Sequence, residues 1–133
     1  MRTDPAARRR DNGHWEPPGG VLELDETIES GLRREVREET RAEIEVGPLT
    51  GVYKNMRLNI VALVFKATVS TAPEEETPEA QKVAWHPVDR VGDLMNPAYA
   101  IRIIDARQGA PSVRAHDGER VVDPIEHPRS PGN

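Results

Sequence analysis

The stretch GGVLELDETIESGLRREVREE, residues 19–39, carries the most informative pattern in this chain. A Gly-Gly pair comes first, and it predicts a turn that leads into a helix. The spacing predicts that helix over residues 26–40, with Asp25 or Thr27 as its N-cap. Apolar residues recur every fourth position and predict one buried stripe, formed by Ile28, Leu32 and Val36.

The acidic residues of this helix fall on one side of it. At about 100° per residue, Glu35, Glu38 and Glu39 share one arc that overlaps the edge of the buried stripe. Carboxylates held so close repel one another, and a divalent cation such as Mg²⁺ or Mn²⁺ would offset that repulsion. Arg34, one turn before Glu38, can pair with it. Gly31 lies inside the arc, where a bare backbone would let a metal or phosphate approach.

On charge content alone, a helix rich in Glu and Arg is most often a solvated face. The joint spacing reverses that preference, because it resembles the Nudix box of the Nudix hydrolases, G-x5-E-x7-R-E-U-x-E-E-x-G-U, where U is a bulky aliphatic residue. The resemblance extends over roughly residues 9–122. The match runs without a gap through Gly20, Glu26, Arg34, Glu35, Val36, Glu38 and Glu39.

The resemblance implies an α/β fold, a Nudix-type α/β/α sandwich with a mixed central β-sheet. We expect the domain over residues 8–122, with an N-terminal tail at 1–7 and a disordered C-terminal tail at 123–133. The family has an apolar strand or two before the segment RRRDNGHWEPPGG, whereas only MRTDPAA precedes it here. Either the usual first strand is shortened away, or another segment or subunit covers its position in the sheet.

The resemblance also assigns roles along the acidic helix. Glu38 and Glu39 would be the chief ligands of Mg²⁺ or Mn²⁺, and Glu38 counts among the catalytic residues. Glu35 would be a further metal ligand or the base that activates water. Arg34 would be a catalytic residue that orients a glutamate, and the carbonyl of Gly19 could complete the metal shell.

Further candidates lie outside the helix. Glu79 precedes a predicted strand, at a place where family members often carry an acid that acts as base or reaches the metal. Arg10 could bind a substrate phosphate, although an exposed tail explains it equally well. Trp15 could stack on a base, although packing at the rim explains it too. Gly20 is placed with these two in substrate binding, and Glu26 would support the loop–helix geometry or an outer water.

One departure from the family pattern concerns the end of the helix. Arg41 and Ala42 stand where the family has glycine and then an aliphatic residue. A glycine just after a helix usually supplies a positive φ, and another residue there costs about 1 kcal/mol. The substitution therefore concerns the backbone geometry at the end of the helix more than the metal ligands.

The rest of the chain predicts a mixed set of elements. Residues 59–70 are apolar enough for a central strand. A small hairpin is expected around the turn signal Asp117–Gly118. The remaining predicted elements are a strand over 42–54 with a bend at Gly47–Pro48, a short strand over 82–86, and helices over 88–95 and 97–107.

Composition limits the function classes. The net charge of −5 argues against general nucleic-acid binding, so nucleic acid is not an expected partner. The chain has no cysteine, which excludes disulfides and thiolate metal sites and fits a cytoplasmic location. It also has no apolar run of the roughly 20 residues that a membrane helix needs. The expected partner is a small nucleotide, and a homodimer remains open.

These observations favour hydrolysis of a pyrophosphate bond in a nucleoside diphosphate derivative: a nucleoside triphosphate, a nucleotide sugar or an ADP-ribose-type compound. The alternative is a catalytically weak Nudix-fold module that binds or senses a nucleotide. Removal of pyrophosphate from RNA 5′ ends is a third idea, which the acidic charge balance disfavours. The sequence carries no clear subfamily tag, so it does not select the substrate.

Overall fold

The computed structural model describes the backbone of residues 3–9, 15–16, 19–71, 80–87 and 95–122, and the side chains of residues 19–71 and 95–122. Numbered in chain order, its elements are β1 (Thr3–Arg9), β2 (Trp15–Glu16), α1 (Ile28–Thr40), β3 (Glu43–Asn55), β4 (Ile60–Thr71), β5 (Ala80–Pro87), α2 (Pro97–Asp105), β6 (Ser112–His116) and β7 (Val121–Val122). The fold is of the α/β class, as predicted.

The described strands form two sheets. One is antiparallel, in the order β2-β1-β5, and the other has the order β4-β3-β6-β7. In the second sheet β3 pairs parallel with β6, while its other pairs are antiparallel, so this is the expected mixed sheet. Helix α1 packs on β3 and also contacts β5, while α2 contacts β3 and β7. Within the described part of the chain, no helix is long and apolar enough to cross a bilayer.

The predicted N-terminal tail over residues 1–7 is wrong for most of its length. Residues from Thr3 onward form β1, which pairs with β2 on one side and with β5 on the other. The two alternatives left open for the usual first strand assumed that these residues form none, whereas they supply a paired strand themselves. Strand pairing uses backbone N–H and C=O groups, so a segment without apolar alternation can still form a strand. The predicted domain boundary at residue 8 falls inside this strand.

Helix α1 begins and ends close to its predicted limits. Thr27 is the N-cap, and its Oγ1 accepts a hydrogen bond from the Ser30 N–H at 3.1 Å. The predicted buried stripe holds only in the C-terminal part of the helix, because Ile28 is 46% exposed. There the helix packs on β3 in a core formed by Val36, Ala42 and Ile44, with Leu32, Val46 and Val69 against it.

The helix exit forms without the family's glycine. Arg41 has the left-handed conformation, with φ 62°, and its N–H donates to the Arg37 carbonyl at 2.8 Å. A residue with a Cβ pays about 1 kcal/mol or more in that conformation. Helix α1 therefore ends as the Nudix pattern requires, and the backbone strain of the left-handed conformation lies at Arg41.

We accordingly expect Arg41→Gly to raise the free energy of unfolding by about 1 kcal/mol, measured by urea denaturation. The matched control is Arg33→Gly, in the interior of the same helix, which should lower the free energy of unfolding by about 1 kcal/mol. The same replacement of arginine by glycine is thus expected to raise the free energy of unfolding at residue 41 and to lower it at residue 33. A loss of stability in Arg41→Gly would contradict the assignment of strain to this position.

Strand β4 lies at the edge of its sheet and not at its centre, which corrects the prediction for residues 59–70. Among the described strands it pairs with β3 alone. Three of its apolar residues remain partly exposed, at 51%, 57% and 42% for Ile60, Val61 and Leu63. An apolar run indicates a strand but does not reveal how many neighbours it has. The predicted bend in β3 is confirmed, since the pairing register shifts between Val46 and Leu49.

Helix α2 is held to the mixed sheet by a polar cluster around a buried carboxylate. Asp105, 2% exposed, accepts a hydrogen bond from the Tyr53 hydroxyl at 2.8 Å. Arg114 reaches the same carboxylate with Nε at 2.6 Å and Nη2 at 2.8 Å. Burial raises the pKa of Asp105, but the hydrogen bonds from Arg114 and Tyr53 outweigh it and leave the pKa below its usual value. The cluster joins β3, β6 and α2.

The last two strands form the predicted hairpin, with the turn at Asp117–Gly118. Gly118 has φ 103°, which favours glycine. His116 is buried before the turn, and its Nδ1 accepts from the Gly118 N–H at 3.0 Å. The predicted helix over 97–107 is confirmed as α2, with Asn96 as its N-cap. The predicted helix over 88–95, apart from its last residue, and the C-terminal tail lie outside the described residues.

Candidate active site

Arg34 is the centre of the site. Its guanidinium grips the Glu26 carboxylate in a two-point contact, Nη2 to Oε1 at 2.6 Å and Nε to Oε2 at 2.9 Å. Its Nη1 donates to Glu35 at 2.8 Å and to Glu38 at 3.2 Å. One cation therefore donates hydrogen bonds to three carboxylates, and the predicted pairing of Arg34 with Glu38 is confirmed. A planar guanidinium suits this task because its donors have a fixed geometry.

The same arginine ties the glycine loop to the helix. Its Nη2 donates to the Val21 carbonyl at 3.1 Å, and the Glu23 N–H donates to the Glu26 carboxylate at 2.8 Å. The hydrogen bonds from Arg34, and then that from the Glu23 N–H, lower the pKa of Glu26 to about 2. Glu26 is therefore ionised throughout the neutral range. This is the geometry expected of a residue that supports the loop–helix junction.

The carboxylates differ in their exposure. The side chains of Glu26 and Glu35 are 13% and 16% exposed, whereas that of Glu38 is 42% exposed. Glu39 accepts a hydrogen bond from the Gly19 N–H at 3.2 Å, so it contacts the start of the loop. The two inner acids face Arg34, while Glu38 keeps access to solvent and thus to a ligand.

Gly20 is a point of close approach between the loop and the helix. A Cβ added at Gly20 would overlap the Glu35 carboxyl group, so any larger residue would displace that side chain. The predicted site residues Gly19, Gly20, Arg34, Glu35, Glu38 and Glu39 thus all lie at one loop–helix junction.

Gly31 does not have the predicted role. We expected a dent through which a metal or phosphate could approach the helix, but Leu22 and Glu26 fill that space. A Cβ at Gly31 would overlap the Leu22 side chain and lie 3.0 Å from Glu26 Oε1. The bare backbone accommodates the loop and not a ligand. The sequence signal was correct in that a mid-helix glycine marks a close approach, but it does not reveal which group approaches.

The donor set fits a hard divalent cation. Carboxylate oxygens are the ligands that Mg²⁺ and Mn²⁺ prefer. Among the residues with described side chains, no three acidic or histidine residues converge into a preformed metal cage. Mg²⁺ does not require one, because it usually binds through one or two carboxylates and completes its shell with water and substrate phosphate. The half-exposed Glu38 and the neighbouring Glu39 suit that mode.

The remaining predicted site residues cannot be placed. Arg10 and Glu79 lie outside the described residues. Trp15 belongs to β2, where its backbone pairs with Arg8 in β1, but its side chain lies outside the described part. The predicted roles of these three residues stay predictions.

A mixed sheet with a glycine loop and an arginine-centred acidic helix defines the Nudix class of fold and site. The chain belongs to this family, since the family model NUDIX domain matches residues 2–106. It is a Nudix hydrolase by family, and the recognition from the sequence is confirmed.

Individual relatives agree with this assignment. The chain is 53% identical over 118 residues to a MutT-like protein of Streptomyces ambofaciens, covering 88% of this chain and 77% of that protein. A NUDIX hydrolase from Nitrosomonas europaea superposes with a TM-score of 0.72 at 20% identity, over 87% of this chain and 73% of that one. An ADP-ribose pyrophosphatase from Streptococcus suis gives 0.66 at 16% identity, over 84% and 88%. At such identities the structural likeness shows the fold.

Proposed function

We propose that this protein hydrolyses the pyrophosphate bond of a nucleoside diphosphate derivative with the help of Mg²⁺ or Mn²⁺. The observation that carries the proposal is the division of the acids around Arg34. The guanidinium neutralises and orients Glu26 and Glu35, which are largely buried, while Glu38 is 42% exposed. An acid kept accessible beside an ordered cluster is suited to binding a cation and a phosphorylated ligand.

Each residue has a distinct proposed task. Glu38 and Glu39 would hold the cation, and Glu35 would be a further ligand or the base that takes the proton from the attacking water. Arg34 keeps the Glu35 and Glu38 carboxylates in fixed rotamers. The Gly19 carbonyl would complete the metal shell. When bound, the cation would lower the pKa of a coordinated water and neutralise charge on the leaving phosphate.

The other predicted residues complete the proposal. Glu79 would act as the base if Glu35 serves only as a ligand. Arg10 would contact a substrate phosphate and Trp15 would stack on the base. Gly20 would contact the substrate through its backbone, because the Glu35 carboxyl group takes up the space that a side chain at residue 20 would need. Catalysis would then rest mainly on positioning and charge neutralisation.

The relatives support a nucleotide substrate without selecting one. One structural neighbour is described as an ADP-ribose pyrophosphatase and another as a UDP-X diphosphatase. We therefore propose the substrate class as nucleoside triphosphates, nucleotide sugars or ADP-ribose-type compounds. The location is proposed as cytoplasmic, on the absence of cysteine.

A turnover screen over nucleoside triphosphates, nucleotide sugars, ADP-ribose and dinucleotide polyphosphates tests the proposal. We expect at least one compound to be cleaved into two phosphorylated products with Mg²⁺ or Mn²⁺. The reaction should stop with EDTA and resume when the metal is restored. Tight binding of a compound without turnover would instead favour the sensing module, and turnover that is insensitive to EDTA would contradict the metal role.

A further inference from the structure

Leu22 is the residue of the glycine loop that occupies the bare helix backbone at Gly31. Its Cδ2 atom lies where a Cβ of residue 31 would stand. The other apolar residues of the loop are more exposed, at 80% for Val21 and 106% for Leu24, against 44% for Leu22. Gly31 itself is buried. Among these three loop residues, Leu22 is thus the one seated on the helix.

The backbone on either side of Leu22 contacts the arginine–glutamate pair. The carbonyl of the preceding residue, Val21, accepts from Arg34 at 3.1 Å, and the N–H of the following residue, Glu23, donates to Glu26 at 2.8 Å. A shift of Leu22 would therefore pull on two hydrogen bonds at once. Glu26 Oε1, which receives the second bond, also lies 3.0 Å from the position of an added Cβ on Gly31.

We infer that the Leu22–Gly31 contact is a positioning element of the active site. It fixes the loop where the Val21 carbonyl and the Glu23 N–H can form hydrogen bonds with the Arg34–Glu26 pair. Arg34 in turn forms hydrogen bonds with Glu35 and Glu38. Neither contact residue occupies a fixed position of the Nudix box. The inference rests on the proposed function, since it concerns the acids that would perform the hydrolysis.

A purely structural role for Gly31 predicts a different outcome when it is replaced by alanine. Glycine inside a helix costs about 1 kcal/mol relative to alanine, so Gly31→Ala gains helix stability wherever space permits. The Leu22 tip is half-exposed and can move away from the new methyl group, so the fold should survive the substitution. The new methyl group would also lie 3.0 Å from Glu26 Oε1, so it would displace the arginine–glutamate pair although the protein stays folded.

Four proteins test the inference: wild type, Gly31→Ala, Leu22→Ala and the double variant. We expect Gly31→Ala to lower kcat by about tenfold to a hundredfold, because small misplacements of catalytic groups have effects of that size. Leu22→Ala should lose less, since it removes the anchor without introducing a clash. The double variant should recover to the kcat of Leu22→Ala, because the shortened side chain leaves room for the new methyl group.

The matched control is Gly109→Ala, where an added Cβ meets nothing within 4 Å, and its kcat should equal that of wild type. Thermal unfolding of each variant checks that the fold persists. If Gly31→Ala does not fold, the comparison of Leu22→Ala with the double variant decides, because a positioning clash predicts a folded and active double variant.

The outcomes separate this inference from the proposed function. A wild-type protein without turnover would overturn both. An active wild type with a fully active Gly31→Ala variant would overturn the positioning role alone. A double variant that is less active than Gly31→Ala would do the same, since removal of Leu22 would then not relieve the defect.

Discussion

Glu38→Gln is expected to lower kcat at saturating Mg²⁺ by at least about a hundredfold while the protein stays folded. The amide has nearly the same shape as the carboxylate, and its oxygen can still accept from Arg34 Nη1, now at 3.2 Å. What it loses is the negative charge that would hold the cation. Loss of one preorganised electrostatic partner commonly costs about 10²–10³ in rate. Steady-state kinetics on the best substrate of the screen measures the effect.

Glu29→Gln is the matched control for this substitution. Glu29 lies in the first turn of the same helix, its side chain is 58% exposed, and it pairs with Arg33 at 2.9 Å. Exposed pairs of this kind contribute little, so kcat should stay within about twofold of wild type. Equal loss in both variants would mean that general helix charge, and not the site, sets the rate. Full activity of Glu38→Gln would remove Glu38 from the metal site.

Asp105→Ala is expected to have the largest effect on stability, lowering the free energy of unfolding by about 3 kcal/mol. The substitution removes the acceptor of Tyr53 and of Arg114 together, and the Asp105 side chain is 3% exposed. Tyr53 is fully buried, so its hydroxyl would carry the full cost of desolvation without an acceptor, whereas the Arg114 side chain is 38% exposed and can reach water. Urea denaturation measures the loss. The control is Glu45→Ala, at an exposed position on β3, which should change the free energy of unfolding by less than about 0.5 kcal/mol.

The pH dependence of this loss has a definite sign. Because the folded-state pKa of Asp105 is lowered, its contribution is present above the unfolded-state pKa of about 3.9 and is lost as the pH falls below it. The difference in free energy of unfolding between wild type and Asp105→Ala should be constant from about pH 5 upward and should become smaller below about pH 4. A difference that grows with acidification would contradict the ion pair with Arg114.

The parts of the site that the sequence predicts correctly are local. Helix α1 brings Arg34, Glu35 and Glu38 together through helical spacing alone, and the pair Gly19–Gly20 precedes it by a fixed number of residues. Such short-range geometry is fixed by backbone dihedrals and needs no knowledge of the rest of the fold. The family pattern then supplies the chemistry.

The parts that were missed depend on distant segments. Strand β1 exists through pairing with β5, whose residues are far along the chain, and its own composition does not indicate this. The edge position of β4 likewise depends on which strands pair with β3. Asp105 falls within the predicted helix over residues 97–107, but its partner Tyr53 is 52 positions away. Leu22 was not singled out, because only the folded loop brings it to Gly31.

We propose that the acids of α1 are tolerated together because they bind a divalent cation beside a diphosphate. Calorimetric titration of Mn²⁺ into nucleotide-free wild type and Glu38→Gln tests it most directly. We predict uptake by wild type at a site whose affinity falls at least about tenfold in the variant. Identical titrations for the two proteins, or no uptake by wild type with or without nucleotide, would contradict the claim.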